Sequence, residues 1–121
     1  MPRDLVIRLP WPPSLNRCWR NVRGRMLLSR EGRKYRRVVA VVVHEQLGGN
    51  FVQLRGRLEV FVRAVPPDRR RRDLDNLLKA PLDALQCAGV FVDDEQIDDL
   101  RIVRDRPKKP GYLSVGIWTT S

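Results

Sequence analysis

From residue 66 to residue 97 the chain runs PPDRRRRDLDNLLKAPLDALQCAGVFVDDEQI, and the other elements are arranged around this stretch. Its leucines fall on one face of a predicted helix that would pack against a sheet: Leu74, Leu77, Leu78, Leu82 and Leu85. Pro81 limits where that helix begins, because a proline deep inside a helix removes a hydrogen bond and clashes with an earlier carbonyl. We therefore expect the helix to start close before Pro81, or to kink there, and to end at Gly89.

The flanking segments predict several strands and one long helix. Alternation of apolar residues predicts strands at residues 4–9, 55–64, 100–104 and 112–119, with a short one possible at 26–28. Ser29 is a suitable N-cap for an amphipathic helix from Arg30 to about Leu47, which Gly48 would end. Residues 14–25 are interpreted as an arginine-rich loop. The pattern predicts one α+β domain, residues 1–121, with a mixed sheet and two main helices on one face.

The charge of the chain points to a polyanionic partner. Its 121 residues carry a net charge of +10, which favours DNA, RNA or an anionic membrane as the partner. A membrane is the poorer choice, because no apolar run approaches the roughly 20 residues that a spanning helix needs. The first residues lack the apolar core of a signal peptide, so we expect a cytoplasmic protein.

The cysteines and the histidine offer little for catalysis. Cys18 and Cys87 are far apart and form no zinc-binding pattern, so we expect two reduced, mostly buried thiols. His44 lies in a predicted helix and has no nucleophile motif to serve, so a surface or packing role is the better interpretation.

Residues 66–97 place acidic and basic side chains side by side. Four arginines, Arg69 to Arg72, are followed by Asp73 and Asp75, and Lys79 would lie about one helical turn further on. A second acidic group, residues 93–95, contains Asp94. Carboxylates from two segments can hold Mg²⁺ or Mn²⁺, and arginines can hold a phosphate backbone. The alternative is that Asp73 and Asp75 only balance the arginine run as surface ion pairs.

A second basic region surrounds Trp19. Arg17 and Arg20 flank this ring, and arginines beside an aromatic residue suit a nucleic-acid contact. The alternative is a solvated loop whose tryptophan is tucked into the core.

Four segments resemble the RusA family of Holliday-junction resolvases. They are LPWPPSLNR at residues 9–17, SREGRKYRR at 29–37, DRRRRDLDNLLKAPLDAL at 68–85 and GVFVDDEQI at 89–97. The resemblance implies a homodimeric, Mg²⁺-dependent endonuclease of bacteria and prophages that makes paired symmetric nicks in four-way junction DNA. It also implies catalytic roles for Asp73, Asp75, Asp94 and Lys79, and it matches Arg72 to a functional basic position.

These observations give one leading hypothesis and two rivals. The leading hypothesis is a junction-resolving endonuclease that uses Mg²⁺ held by the three aspartates. Its expected DNA contacts are Arg17, Arg20, Arg69, Arg70, Arg71, Arg72 and Asn76. The rivals are a non-catalytic basic nucleic-acid-binding protein and a nuclease for other branched DNA.

Overall fold

A computed structural model describes residues 5–120 of the chain. The strands are β1 (Leu5–Pro10), β2 (Trp19–Val22), β3 (Arg25–Leu28), β4 (Leu58–Val65), β5 (Ile97–Arg104) and β6 (Tyr112–Thr119). The α-helices are α1 (Leu15–Cys18), α2 (Arg30–Leu47) and α3 (Lys79–Cys87), and 3-10 turns span Leu74–Leu77 and Asp94–Gln96. The predicted α+β class, with a mixed sheet and two main helices, is confirmed.

Four of the strands form one mixed sheet in the order β1-β6-β4-β5. Strand β6 runs antiparallel to both β1 and β4, whereas β4 and β5 are parallel. Two parallel neighbours cannot be joined by a tight turn and need a crossover connection, which is commonly helical. Residues 66–97, which contain α3, include that crossover.

The core lies between one face of this sheet and the helices α2 and α3. The buried face of the sheet comes from alternate residues, such as Leu58, Val60 and Val62 on β4. Helix α2 contributes Tyr35, Val39 and Val43, and α3 contributes Ala84 and Leu85. Val38, between these buried positions of α2, is 39% exposed.

Ser29 and Gly32 determine how α2 begins. The Ser29 hydroxyl accepts a hydrogen bond from the Gly32 N–H at 3.1 Å and donates one to the Arg17 carbonyl. A Cβ on Gly32 would lie 2.6 Å from Leu28 Cδ1 and 2.7 Å from the Cys18 carbonyl oxygen. Only glycine therefore allows the first turn of α2 to approach α1 so closely.

The structure corrects two expectations. Residues 14–25 are not a loop, since they contain α1, β2 and the start of β3, and β2 and β3 form an antiparallel hairpin. Cys18 is buried as expected, but Cys87 is exposed; both are free thiols.

No helix in residues 5–120 has the length and apolar character that crossing a bilayer would require.

Candidate active site

The first acidic pair lies where the chain leaves β4 and turns toward α3. Asp73 has an extended backbone, and a 3-10 turn begins at Leu74. The Asn76 N–H donates to the Asp73 carbonyl at 3.2 Å. Leu77 is buried, while the side chains of Asp73 and Asp75 face solvent. The turn therefore presents two carboxylates next to an apolar anchor.

Helix α3 begins at Lys79, which makes Pro81 the third residue of the helix. The first N–H groups of a helix have no acceptor within it, so the missing N–H of Pro81 removes no helical hydrogen bond. The prediction that the helix starts close before Pro81 is confirmed. Lys79 is exposed on this first turn, and its Nζ lies 4.7 Å from the centroid of the Trp19 ring.

The loop that carries Asp94 is held by two glutamines. Gln96 is buried, and its Oε1 accepts hydrogen bonds from the N–H groups of Val92 at 2.8 Å and Asp93 at 2.9 Å. The Asp94 N–H donates to Gln86 Oε1, on α3, at 3.0 Å. The backbone on both sides of Asp94 is therefore fixed, while its carboxylate stays exposed.

Several groups act on the charge of Asp94. Partial burial raises its pKa, and so do a hydrogen bond from Asp93 and the negative charges of Asp93 and Asp83, while the positive charge of Lys79 lowers it. Glu95, the third acid of residues 93–95, is instead bound by an arginine. It accepts hydrogen bonds from Arg57, which also binds Asp98. Asp94 and Lys79 thus share one electrostatic environment, and Glu95 belongs to a structural ion pair.

The carboxylates expected at the site are free of arginine. In residues 5–120, Asp73, Asp75 and Asp94 form no salt bridge. The acids that do pair with arginine are Asp68, Asp83, Glu95, Asp98 and Asp105. In particular, the arginine run pairs with Asp68 and not with the two aspartates that follow it. The structure therefore excludes the interpretation of Asp73 and Asp75 as ion-pair partners of this run.

The members of the arginine run differ in how freely they can bind a ligand. Arg72 is held by Asp68 at 2.8 Å and stacks 5.5 Å from the Trp11 ring. Arg70 pairs loosely with Asp68 at 3.7 Å. Arg69 and Arg71 are exposed and form no salt bridge within the described chain. Arg72 therefore contributes most to the shape of the site, and Arg69 and Arg71 are the free cations.

Asp73, Asn76, Arg71 and Arg72 line one cavity of about 350 Å³, with Trp11 on its wall. Arg20 instead lines a groove of about 730 Å³ between the hairpin and α2, with Arg30, Arg33 and Arg36. Arg17 is exposed on α1. The predicted DNA contacts thus do not share one cavity, since Arg17 lines a further one beside Trp11.

Two hydrogen bonds locate the backbone of the two acidic groups relative to the sheet. Arg104, at the end of β5, donates to the Arg72 carbonyl, so Asp73 lies near the carboxyl ends of β4 and β5. Gln96 donates to the Gly56 carbonyl at 2.9 Å, so Asp94 lies near the amino ends. Over residues 5–120, no three histidine, cysteine or acidic side chains form a group that could hold a metal ion. The charge of Lys79 acts on Asp94 and lowers the pKa of its carboxyl, whereas Asp73, Asp75 and Asp94 do not form such a group within the described residues.

Sequence reasoning overlooked Gln96, Gln86 and Arg57, which position the Asp94 loop. Gln96 could have been found, because Asp93 followed three residues later by glutamine is a capping-box pattern, and the structure contains that box. The partners of Gln86 and Arg57 are distant in sequence from them and leave no local signal.

Comparison with known proteins matches this arrangement to one family. Residues 10–117 match the family model described as endodeoxyribonuclease RusA.

The chain belongs to the RusA family.

Curated relatives in this family are 43–45% identical to the chain over the aligned residues. A crossover junction endodeoxyribonuclease RusA from Escherichia coli K12 is 44% identical over 111 residues, covering 92% of this chain and 91% of the relative. The proteins of the same name from Enterobacteria phages 82 and HK97 are 45% and 43% identical, covering 92% and 90% of this chain and 91% and 89% of their own. The matched region of this RusA family member includes all the site residues described above.

Proposed function

We propose that the chain is an endodeoxyribonuclease that resolves four-way DNA junctions by paired symmetric nicks, in recombination and repair. The observation that supports this most is the freedom of Asp73, Asp75 and Asp94 from arginine in a chain with a net charge of +10. Free carboxylates beside a phosphate backbone are unfavourable unless a cation lies between them. The relatives, which are named crossover junction endodeoxyribonucleases, supply the substrate.

The residues present fit Mg²⁺, with Mn²⁺ as an alternative. Mg²⁺ prefers oxygen ligands and is usually held by one or two carboxylates, substrate phosphates and water, so a preformed cage is not needed. Asp73 and Asp75 would hold the ion, with Asp94 as the third carboxylate. The bound ion would polarise the scissile phosphate and acidify a water for attack.

The remaining side chains act on the phosphate backbone. Lys79, whose positive charge acts on Asp94, would stabilise the charge that develops on the phosphate. Arg69, Arg70 and Arg71 would hold the backbone electrostatically, and Asn76 in the same cavity as Asp73 would donate to it. Arg17 and Arg20 would contact a second part of the DNA from the hairpin side.

Two strands of a junction must be cut at symmetry-related points, and a homodimer would supply two sites with that symmetry. We propose that this activity takes place in the cytoplasm of a bacterium, where a host or a prophage gene would supply the protein; the relatives come from Escherichia coli and from Enterobacteria phages.

The deciding experiment incubates a labelled four-way junction with the protein, with and without Mg²⁺. We expect paired nicks only with the metal, and a shifted but intact junction in its absence. Asp75→Asn should abolish cleavage and leave junction binding intact. Asp105→Asn is the matched control, because this carboxylate is already paired with Arg63 at 3.6 Å.

Three outcomes would contradict the proposal in different ways. A junction that is bound but never cut at any metal concentration would indicate the non-catalytic binding protein. Flaps or forks cut in preference to junctions would indicate a nuclease for other branched DNA. Full cleavage by Asp75→Asn would remove the assignment of the metal carboxylates.

A further inference from the structure

We propose that Trp19 is a positioning residue for Lys79, and that its ring holds the lysine ammonium beside the acidic site without neutralising it. The proposal rests on the proposed function, because it assigns Lys79 a role at the phosphate. The juxtaposition itself is structural, since Trp19 lies at the start of β2 and Lys79 at the start of α3.

The ring is the contact that the described structure provides for the Lys79 ammonium. The Nζ atom lies 4.7 Å from the centroid of the Trp19 ring, within the range of a favourable cation–π interaction. Among residues 5–120, Lys79 forms no salt bridge. A lysine side chain is a flexible stem, and without a partner its ammonium would sample many positions. The Trp19 ring restricts that sampling.

The choice of tryptophan at this position argues against a purely packing role. The Trp19 Nε1 atom is buried and lacks a hydrogen-bond partner in the described structure. A buried donor without a partner destabilises the fold, and phenylalanine or leucine would pack there without that cost. Tryptophan, however, offers the strongest face for a cation. A tryptophan with an unsatisfied indole N–H is therefore explained if the site requires its aromatic face to bind the Lys79 ammonium.

The backbone of Trp19 is held by hydrogen bonds and strand pairing with neighbouring elements. Its N–H donates to the Leu15 carbonyl, closing α1, and Trp19 pairs with Leu28 across the hairpin. The Ser29 N–H donates to the Cys18 carbonyl at 2.7 Å, and the Ser29 hydroxyl donates to the Arg17 carbonyl. The start of the hairpin is thus tied to the N-terminus of α2. Because its backbone is held in this way, the Trp19 ring can restrict the position of the flexible Lys79 ammonium.

An aromatic face holds a cation differently from a carboxylate. A salt bridge would cancel the charge of Lys79, whereas the ring attracts it through its quadrupole and leaves the full charge in place. That charge already acts on Asp94. Trp19 therefore keeps Lys79 both placed and charged, which a phosphate-facing lysine requires.

The deciding test changes the electrostatics of the ring and keeps its shape. Mono-, di- and trifluorinated tryptophan are placed at position 19 by site-specific incorporation. Single-turnover cleavage of a bound junction should fall stepwise with each fluorine, by about fivefold in all, because fluorine weakens the attraction of the face for a cation. Junction affinity and thermal unfolding should not change. A rate that stays constant across the series would overturn the proposal.

Two substitutions support this series. Trp19→Phe keeps an aromatic face and should retain more of the cleavage rate than Trp19→Leu, at similar junction affinity. Trp118→Leu is the matched control, because Trp118 is also half-buried and no lysine or arginine stacks on it in the described structure. Equal losses in Trp19→Leu and Trp118→Leu would contradict a specific role for Trp19.

A second measurement is independent of activity. If the ring covers the lysine, the ε-methylene protons of Lys79 should show an upfield NMR shift that Trp19→Leu abolishes. If the unmodified protein does not cut junctions but this shift is present, the proposed function fails while the positioning contact stands. If the protein cuts junctions and the shift is absent, the proposed function stands and the role of Trp19 is refuted.

Discussion

Replacing Gln96 by leucine would test how the Asp94 loop is held. This glutamine is 8% exposed and connects the loop before β5 to the segment before β4. Its Oε1 accepts hydrogen bonds from the N–H groups of Val92 and Asp93, and its Nε2 donates to the carbonyls of Leu54 at 3.3 Å and Gly56 at 2.9 Å. Leucine keeps a similar volume, so the change removes the hydrogen bonds without opening a large cavity.

The expected loss of stability follows from these four hydrogen bonds. Each contributes about 0.5–1.5 kcal/mol net, and a buried group left without a partner costs about 1–3 kcal/mol. Gly56 is exposed, so its carbonyl can bond to water instead. We therefore expect Gln96→Leu to lower the free energy of unfolding by about 3 kcal/mol. Because the bonded N–H groups precede Asp94 directly, cleavage should also slow in the fraction that remains folded.

Urea unfolding followed by circular dichroism measures this loss, with Gln86→Leu as the matched control. Gln86 makes one hydrogen bond to the same loop, from the Asp94 N–H at 3.0 Å, so its loss should cost about 1 kcal/mol. An unfolding free energy for Gln96→Leu within about 0.5 kcal/mol of the unmodified protein would refute the reasoning. So would equal losses for the two glutamines.

Three further predictions concern charge and reactivity. The pKa of Asp94 is raised by partial burial and by Asp93, so the folded state holds its proton more tightly than the unfolded state. Stability should therefore fall as the pH rises above the ordinary aspartate pKa. Asp94→Asn should raise the melting temperature at neutral pH in metal-free buffer. An unchanged or lower melting temperature would contradict this. With iodoacetamide, the exposed Cys87 should react quickly and Cys18 slowly, because burial raises the pKa of Cys18 to about 11. Mass spectrometry identifies which cysteine is alkylated first. Initial labelling at Cys18 would be inconsistent with the structure. Junction affinity should fall steeply with salt, and Arg69→Gln and Arg71→Gln should each reduce the slope of log affinity against log salt by about one; a flat dependence would exclude the basic surface as the binding face.

The elements that the sequence predicted well are those with one buried face. Helix α2 runs from Arg30 to Leu47 as expected, because Ser29 caps it and its buried residues repeat at helical spacing. Strand β4 has the predicted alternation, with Leu58, Val60 and Val62 buried. In both cases burial on one side imposes a period that the sequence must show.

The hairpin of β2 and β3 has no such period. Every residue from Arg20 to Leu27 is exposed, so both faces of the hairpin meet solvent and apolar and charged residues are mixed on them. Val22, Met26 and Leu27 are exposed despite being apolar. Without a buried side there is no alternation to detect, and a loop was the natural interpretation.

The candidate site, too, could be predicted only in part from the sequence. Asp73, Asp75 and Lys79 could be named from sequence, because their spacing in one segment is visible there. Which acids are bound by arginine could not be predicted, since Arg57 contacts Glu95 and Asp98 from about 40 positions away. Excluding Glu95 from the acidic group at residues 93–95, and showing that Asp73, Asp75 and Asp94 are not paired with arginine, required the fold.

The parallel pairing of β4 and β5 explains why the candidate site residues Asp73, Asp75, Lys79 and Asp94 all lie in one connection. A connection between parallel neighbours must return from the end of one strand to the start of the other, so the chain from β4 to β5, which includes α3, carries both acidic groups. The backbone of Asp94 is then positioned by Gln86 on this helix and by Gln96 before β5. Lys79 lies on the first turn of the same helix, and Trp19 reaches it from outside the crossover. The spacing of the site is therefore determined by the secondary structure that builds the sheet.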